Sequence, residues 1–187
     1  TVDQDDDARA AQATLGRVGY LEGVGAWIGA MPDVAARLRR APAARVADLG
    51  CGAGWSAIAL ARHFPLARVD GFDLDPASVA MAEANALAAG VADRVRFEVR
   101  DAADAALAGR YDFAVVFEAL HDMPRPVDAL RTLRRLAQGG GAVLVVDERV
   151  EDRFTAPGGL VADGKVVHLV AFPASAPRRA TSPESRA

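Results

Sequence analysis

Between residues 45 and 146 the chain alternates short apolar-rich runs, unbroken at 113–117 and 142–146, with longer stretches whose apolar positions recur every three or four residues. Apolar runs of that length, bounded by glycine, proline or aspartate, predict strands buried on both faces, and the stretches between them predict the helices that cover those faces. Strands are predicted at 46–49, 67–72, 94–99, 111–117 and 142–146, where "FAVVF" and "AVLVV" carry no polar position. Helices are predicted at 56–63, 76–89 and 126–136. Pro76 suits a first helical position and Gly90 a helix end; Val79, Ala82, Ala86 and Leu87 form the expected packing face between them. This alternation predicts an α/β fold, a Rossmann-like doubly wound and mostly parallel sheet.

The pattern weakens toward both ends. Residues 1–10 read as a loose charged end, and 11–40 as a helical cover of one or two irregular helices, interrupted by glycines and Pro32, with Val34 and Leu38 on a buried stripe. After Val150 only 165–172, "KVVHLVAF", reads as a further strand, and 173–187 reads as a disordered tail. Residues 11–172 are therefore expected to form a single domain, and 187 residues suffice for one core that buries about two thirds of the unfolded chain's surface.

Composition narrows the function classes. A net charge of −3 argues against a general nucleic-acid surface, so the arginine clusters at 37–45 and 131–135 read as solvated helix faces. Cys51 is the only cysteine, which excludes an intrachain disulfide and a cysteine-rich zinc site, and the three histidines form no metal motif. No long uncharged apolar run is present, and the first residues are acidic; no membrane partner and a cytoplasmic location are the expectation.

The chemistry is concentrated in "VADLGCGAGW", residues 46–55. Gly50, Gly52 and Gly54 after a strand let the backbone approach a ligand closely, and the following helix offers free N–H groups. Asp73 at the end of the second strand, with Leu74 beside it, is placed to accept from both hydroxyls of a ribose. Asp75 is its rival, though its position before Pro76 also suits a helix cap. Asp101 could accept from an adenine amine while the Ala102 N–H meets a ring nitrogen. The Gly-x-Gly-x-Gly spacing departs from the dinucleotide fingerprint, and Asp48 suits a cationic amino group better than a diphosphate. Both features favour an adenosine carrying an amino acid over NAD, which leaves an NAD-dependent oxidoreductase as the enzymatic rival. Cys51 reads as a small buried filler within the turn and not as a nucleophile.

These motifs, with "VDGFDLDP", "FEVRDAAD", "YDFAVVFEALHDM" and "GGGAVLVVDE" in order, make residues 20–150 similar to the class I S-adenosylmethionine-dependent methyltransferases. The resemblance implies S-adenosylmethionine as cofactor, with Asp48 and Gly50 near its methionine part and Cys51, Gly52 and Gly54 under the ribose side. It further implies Asp73 with Leu74 on the ribose, Asp101 and Ala102 at adenine, and Phe117 and Glu118 beside the methionine moiety and the acceptor. Methyl transfer to an O, N or C atom of a small molecule would need alignment above all, and His121 or Glu118 could serve as base. The alternative for His121 is a loop histidine paired with Asp122, and the alternative for the whole chain is a noncatalytic or truncated cofactor binder.

"VVDERVEDRFTAPG" resembles bacterial members that carry an additional N-terminal helical domain, so these residues are expected to hold the core alone. The family's seven strands run 3-2-1-4-5-7-6, and most of the last hairpin has no counterpart in the pattern. The open edge at 142–146 is then expected to be covered by 166–172 in the same chain or in a homodimer.

Overall fold

The computed structural model describes residues 6–109, 111–137, 139–147 and 172–173. In chain order the elements are α1 (Asp6–Gly29), α2 (Pro32–Leu38), β1 (Arg45–Leu49), α3 (Trp55–His63), β2 (Arg68–Asp73), α4 (Pro76–Ala88), β3 (Val95–Val99), β4 (Phe113–Phe117), a single 3-10 turn (Leu120–Asp122), α5 (Pro126–Leu136), β5 (Ala142–Val146) and β6 (Phe172–Pro173). The sheet order is β3-β2-β1-β4-β5-β6. The first five strands are parallel; β6 runs antiparallel to β5. This is the Rossmann-like sheet expected from the alternation.

Parallel strands alternate their side chains between two buried layers. Val46, Val69, Phe113, Val115, Phe117, Leu144 and Val146 join Val24, Ile28, Ile58, Leu60 and Phe64 on the face covered by α1 and α3. Ala47, Leu49, Phe72, Ala114 and Val116 join Leu133 and Leu136 of α5 on the other. On α4, Val79, Ala82 and Ala86 are buried as expected, but Leu87 is 74% exposed and Ser78 takes a place on the buried side.

Two expectations change. First, α1 is one helix from Asp6, although its glycines disfavour helix and residues 1–10 read as loose. Packing overrides propensity here. A Cβ at Gly25 would lie 2.8 Å from His63 Cε1, and one at Gly23 would lie 2.7 Å from the Trp27 ring, so these glycines clear room for neighbours. The His63 ring in turn contacts the Leu21 carbonyl at 3.2 Å, a structural role.

Second, β3 is not buried on both faces: Arg96, Glu98 and Val99 are exposed, because residues 101–109 contain no helix to cover them. The register places Arg45, Arg68, Asp70 and Arg96 on that uncovered face. Arg45 is stacked over Tyr111 at 4.5 Å and donates to Asp70 at 2.8 Å. Of the cluster at 37–45, Arg37 is also tied down, pairing with Asp112 at 2.7 Å. These arginines are structural as well as solvated. Among the described residues, β6 pairs with the start of β5, Phe172 opposite Val143 and Pro173 opposite Ala142. The expected strand at 165–172 otherwise lies outside the described residues, as do the tail at 174–187 and the first five positions.

Candidate active site

The glycine turn leaves β1 at the C-terminal edge of the sheet, where parallel α/β sheets place their ligands. The N–H groups of Gly50 and Cys51 donate to the Phe72 carbonyl at 2.8 and 3.1 Å, which fixes the turn against β2. The Asn85 side chain on α4 holds the far side by donating to the Ala53 carbonyl at 2.9 Å. All three turn glycines have positive φ. At Gly54, φ is +80° and a Cβ would come within 2.7 Å of the Phe97 ring and 2.8 Å of Ala82 Cβ; around Gly52 the same position meets nothing within 4 Å. Gly54 is thus required by packing, whereas Gly52 borders open space. Gly54→Ala is expected to cost about 2–3 kcal/mol through backbone strain and overpacking, read from the urea midpoint.

Asp48 and Asp73 lie on the same face of adjacent strands and border this turn. Asp73 Oδ2 accepts from the Gly52 N–H at 2.7 Å and Oδ1 from the Asp75 N–H at 3.0 Å. Asp75 is engaged elsewhere: it caps α4 through the N–H groups of Ala77 and Ser78 and pairs with Arg9 at 2.8 Å. The geometry therefore brings Asp73, and not its rival, to the glycine turn. Burial opposes ionisation of Asp75, but its hydrogen bonds from Ser78 and Arg9 prevail and hold its carboxyl below the usual range.

Asp48 is buried, and its Oδ2 accepts from Ser56 Oγ at 2.5 Å. Its Oδ1 has no hydrogen-bond partner among the described residues. Burial pushes this carboxyl up to about 7, against the hydrogen bond from Ser56, with the charge of Asp73 acting in the same direction as burial. A buried carboxylate oxygen without a donor costs several kcal/mol and suits a cationic partner. Cys51 is buried between the two aspartates' strands, and its thiol is raised well above the normal value by burial and by both carboxylates. That agrees with a filler and not a nucleophile.

Around the edge, Asp101 accepts from the Ala103 N–H at 2.7 Å and from Arg125 at 2.5 Å, and Ala102 is nearly buried beside it. Leu74 is half exposed. The Phe117 ring is buried against Tyr20 and Trp27 of α1, with ring centroids at 6.0 and 5.6 Å, so its side chain anchors the cover. Glu118 has φ +50°, and its N–H donates to the Val146 carbonyl at 2.7 Å. His121 follows on the 3-10 turn: its Nδ1 is 2.5 Å from Asp147 Oδ1, and Asp122 is 3.5 Å from Nε2. The expected Asp122 partner is therefore present, but Asp147 is much closer.

Residues 11–40 read as a helical cover, and α1 packs against this edge of the sheet through identifiable contacts. Tyr20 donates to the Phe117 carbonyl at 3.3 Å. Its hydroxyl is held strongly in the protonated form by burial first and then by the charges of Asp48, Glu118 and Asp147. Arg17 lies 4.6 Å over the Trp55 ring, and the nearly buried Arg9 pairs with Asp75. Arg9→Ala is expected to raise hydrogen exchange at the start of α1 by about tenfold or more, since the lost charged hydrogen bond is worth about 1.5–3 kcal/mol. Four residues of this arrangement escaped the sequence reading: Ser56, Tyr20, Arg9 and Asp147. Only Asp147 carried a signal, an aspartate closing an apolar strand as Asp73 does.

A family model described as a methyltransferase domain matches residues 41–179, which include every turn, strand end and carboxylate of this edge. The chain belongs to that family. It has the S-adenosylmethionine-binding fold of the class I methyltransferases. It is 32% identical over 101 residues to a ubiquinone biosynthesis O-methyltransferase of Pseudomonas aeruginosa, covering 54% of this chain and 43% of that protein. It is 35% identical over 103 residues to a tRNA1(Val) (adenine(37)-N6)-methyltransferase of Porphyromonas gingivalis, covering 55% and 37%. Among solved structures, the cyclase SpnF superposes with TM-score 0.56 at 27% identity, over 68% of this chain and 48% of that one. The present methyltransferase domain thus spans less than half the length of these relatives.

The residues present fit the family's cofactor on one structural observation above others. The orphaned Asp48 Oδ1 suits a cationic donor, and a side chain at Gly52 would enter open space.

Proposed function

We propose that this domain transfers a methyl group from S-adenosylmethionine to a small-molecule acceptor, with an O–H group as the acceptor class its side chains suit best. When bound, the cofactor supplies a methyl group on a sulfonium, whose departure leaves a neutral sulfur. The chain's own contribution is alignment and charge. In this reading the Asp48 carboxylate holds the ammonium of the amino-acid end, Asp73 the ribose hydroxyls, and Asp101 with Ala102 the adenine edge. Gly50, Gly52 and Gly54 give the backbone room to pass beneath, with Cys51 and Leu74 completing the wall. Tyr20 and Phe117 close the α1 side and exclude water. Glu118 and His121 stand at the end of β4, where an acceptor would meet the methyl group, and His121 is the proton acceptor.

The observation that carries the reading is the unpartnered, buried Asp48 Oδ1 on the same sheet face as Asp73. The Pseudomonas relative's name supports an oxygen acceptor, and the net charge of −3 disfavours an RNA one. Calorimetric titration with S-adenosylmethionine and S-adenosylhomocysteine tests it: binding of both is expected, and NAD is expected to give no heat. Methyl release into a panel of phenolic and aliphatic hydroxyl compounds then separates an enzyme from a binder. Binding of NAD in place of the adenosyl compounds would select the oxidoreductase instead.

A further inference from the structure

At the end of the sheet away from the glycine turn lies a concavity that methyl transfer does not use. It has a volume of about 220 Å3 and is lined by Arg45, Arg68, Asp70, Asp93, Arg94 and Arg96. Every lining side chain is charged, four arginines against two aspartates, in a protein whose net charge is −3. The register sets Arg45 directly opposite Arg68, and Asp70 opposite Arg96. Like charges facing each other across strands are destabilising, so folding alone does not favour this arrangement.

Each carboxylate here already has its cation. Asp70 Oδ2 accepts from Arg45 at 2.8 Å and from the Tyr111 hydroxyl at 3.0 Å. Asp93 lies 3.5 Å from Arg94, whose guanidinium is also anchored on the Ala61 carbonyl at 2.7 Å. Glu98, the next residue on this face of β3, accepts from Arg100 at 3.0 Å. Arg68 and Arg96 remain. Both are exposed, and neither side chain has a hydrogen-bond or ion-pair partner among the described residues.

We propose that this concavity is a second binding site, for the phosphate monoester group of a small molecule, held by Arg68 and Arg96. A phosphate monoester brings a charge of about −1.5 to −2 at pH 7 and three strong acceptor oxygens, which matches two unpaired guanidiniums that can each donate two parallel hydrogen bonds. Size and lining select a head group. The volume is below the roughly 300–1,000 Å3 of pockets that enclose a drug-sized ligand. A single-stranded nucleic acid would need rings to stack on. No aromatic side chain is among the described residues lining the concavity, and the neighbouring Tyr111 ring is covered by Arg45 at 4.5 Å. The site is separate from the methyl donor's: Arg68 and Asp73 are the first and last residues of β2. Five steps of about 3.3 Å put them roughly 16 Å apart, so anion and nucleoside bind without touching.

Phenyl phosphate titrated into the 15N-labelled full chain at constant ionic strength tests this, with phenyl sulfate as a monoanion of the same shape. Backbone amide signals of residues 68–70 and 94–96 are expected to shift and saturate with phenyl phosphate, and phenyl sulfate to bind more weakly. Arg68→Gln and Arg96→Gln remove exposed charges without a protein partner, and each is expected to weaken phenyl phosphate binding by about five- to tenfold. Equal affinity for phenyl sulfate, or an affinity for phenyl phosphate unmoved by both substitutions, would overturn the assignment. So would saturation of the same signals by a single-stranded oligonucleotide or a glutamate-rich peptide in preference to the monoester. S-adenosylhomocysteine binding, expected to be unchanged in both variants, reports separately on the methyl-transfer reading.

Discussion

Asp48→Asn is expected to stabilise the ligand-free domain above pH 7 while weakening S-adenosylmethionine binding by about 30- to 1000-fold. Both effects come from the same buried oxygen. In the free protein Asp48 titrates at about 7 instead of 3.8, because burial disfavours its charge more than Ser56 supports it. A carboxyl raised in the folded state contributes stability that is complete below the unfolded value and lost as pH climbs through the folded one. Stability from this group therefore falls between about pH 4 and 7 and stays low above that. Removing the charge recovers part of the loss, about 1–2 kcal/mol once an unpaired amide hydrogen is counted against it. A cationic ligand reverses the sign, since its ammonium needs the ionised carboxylate. Affinity should rise by more than about tenfold from pH 5.5 to 7.5, with protons released on binding below pH 7. Thermal denaturation and calorimetry across that range read both arms, and in Asp48→Asn the pH dependence of binding should disappear.

Asp73→Ala is expected to weaken binding of the same ligand by about 10- to 100-fold, the scale of one charge-assisted hydrogen bond or two. The carboxylate serves the protein before any ligand arrives, since it orders the Gly52 and Asp75 backbone at 2.7 and 3.0 Å. Each oxygen retains a second lone pair for a ribose hydroxyl. Asp73→Asn separates the two roles: it can still accept once from the backbone, so the turn persists while the ribose loses its anion. Unchanged affinity in either folded variant would remove the ribose assignment.

The parts of the fold that the chain pattern announced are those whose burial is complete. β4 is buried at every position, and "FAVVF" announces it without ambiguity. α5 was placed to the residue because a proline opens it and a glycine run follows it. α1 was hidden by glycines whose absent side chains are occupied by His63 and the helix's own aromatics, a tertiary fact that propensity does not carry. β3 was expected to be covered, since strand and helix alternate elsewhere, yet no helix follows it. In the site, glycines and strand-end carboxylates were legible because spacing alone defines them. Tyr20 and Arg9 were not, because they reach partners across the fold, 66 residues away for Arg9 and 97 for Tyr20, and Ser56 was not, because its bond to Asp48, eight residues back, depends on how the glycine turn folds.

The same contrast explains the charge pattern. The C-terminal edge of the sheet gathers Asp48, Asp73, Asp75, Asp101, Glu118 and Asp147, and the start of β1 to β3 gathers arginines. A net charge of −3 conceals this polarity. An edge lined by carboxylates suits a cofactor that carries a sulfonium and an ammonium, and the basic end lies away from it.

The central claim is that one nucleoside lies across the glycine turn, its sugar on Asp73 and its ammonium on Asp48. A crystal structure of the domain with S-adenosylhomocysteine tests it most directly. The ribose hydroxyls should lie within hydrogen-bond distance of the Asp73 oxygens and the amino group within that distance of Asp48 Oδ1. A ligand seated elsewhere, or well-ordered protein grown with saturating ligand and holding none, would contradict it.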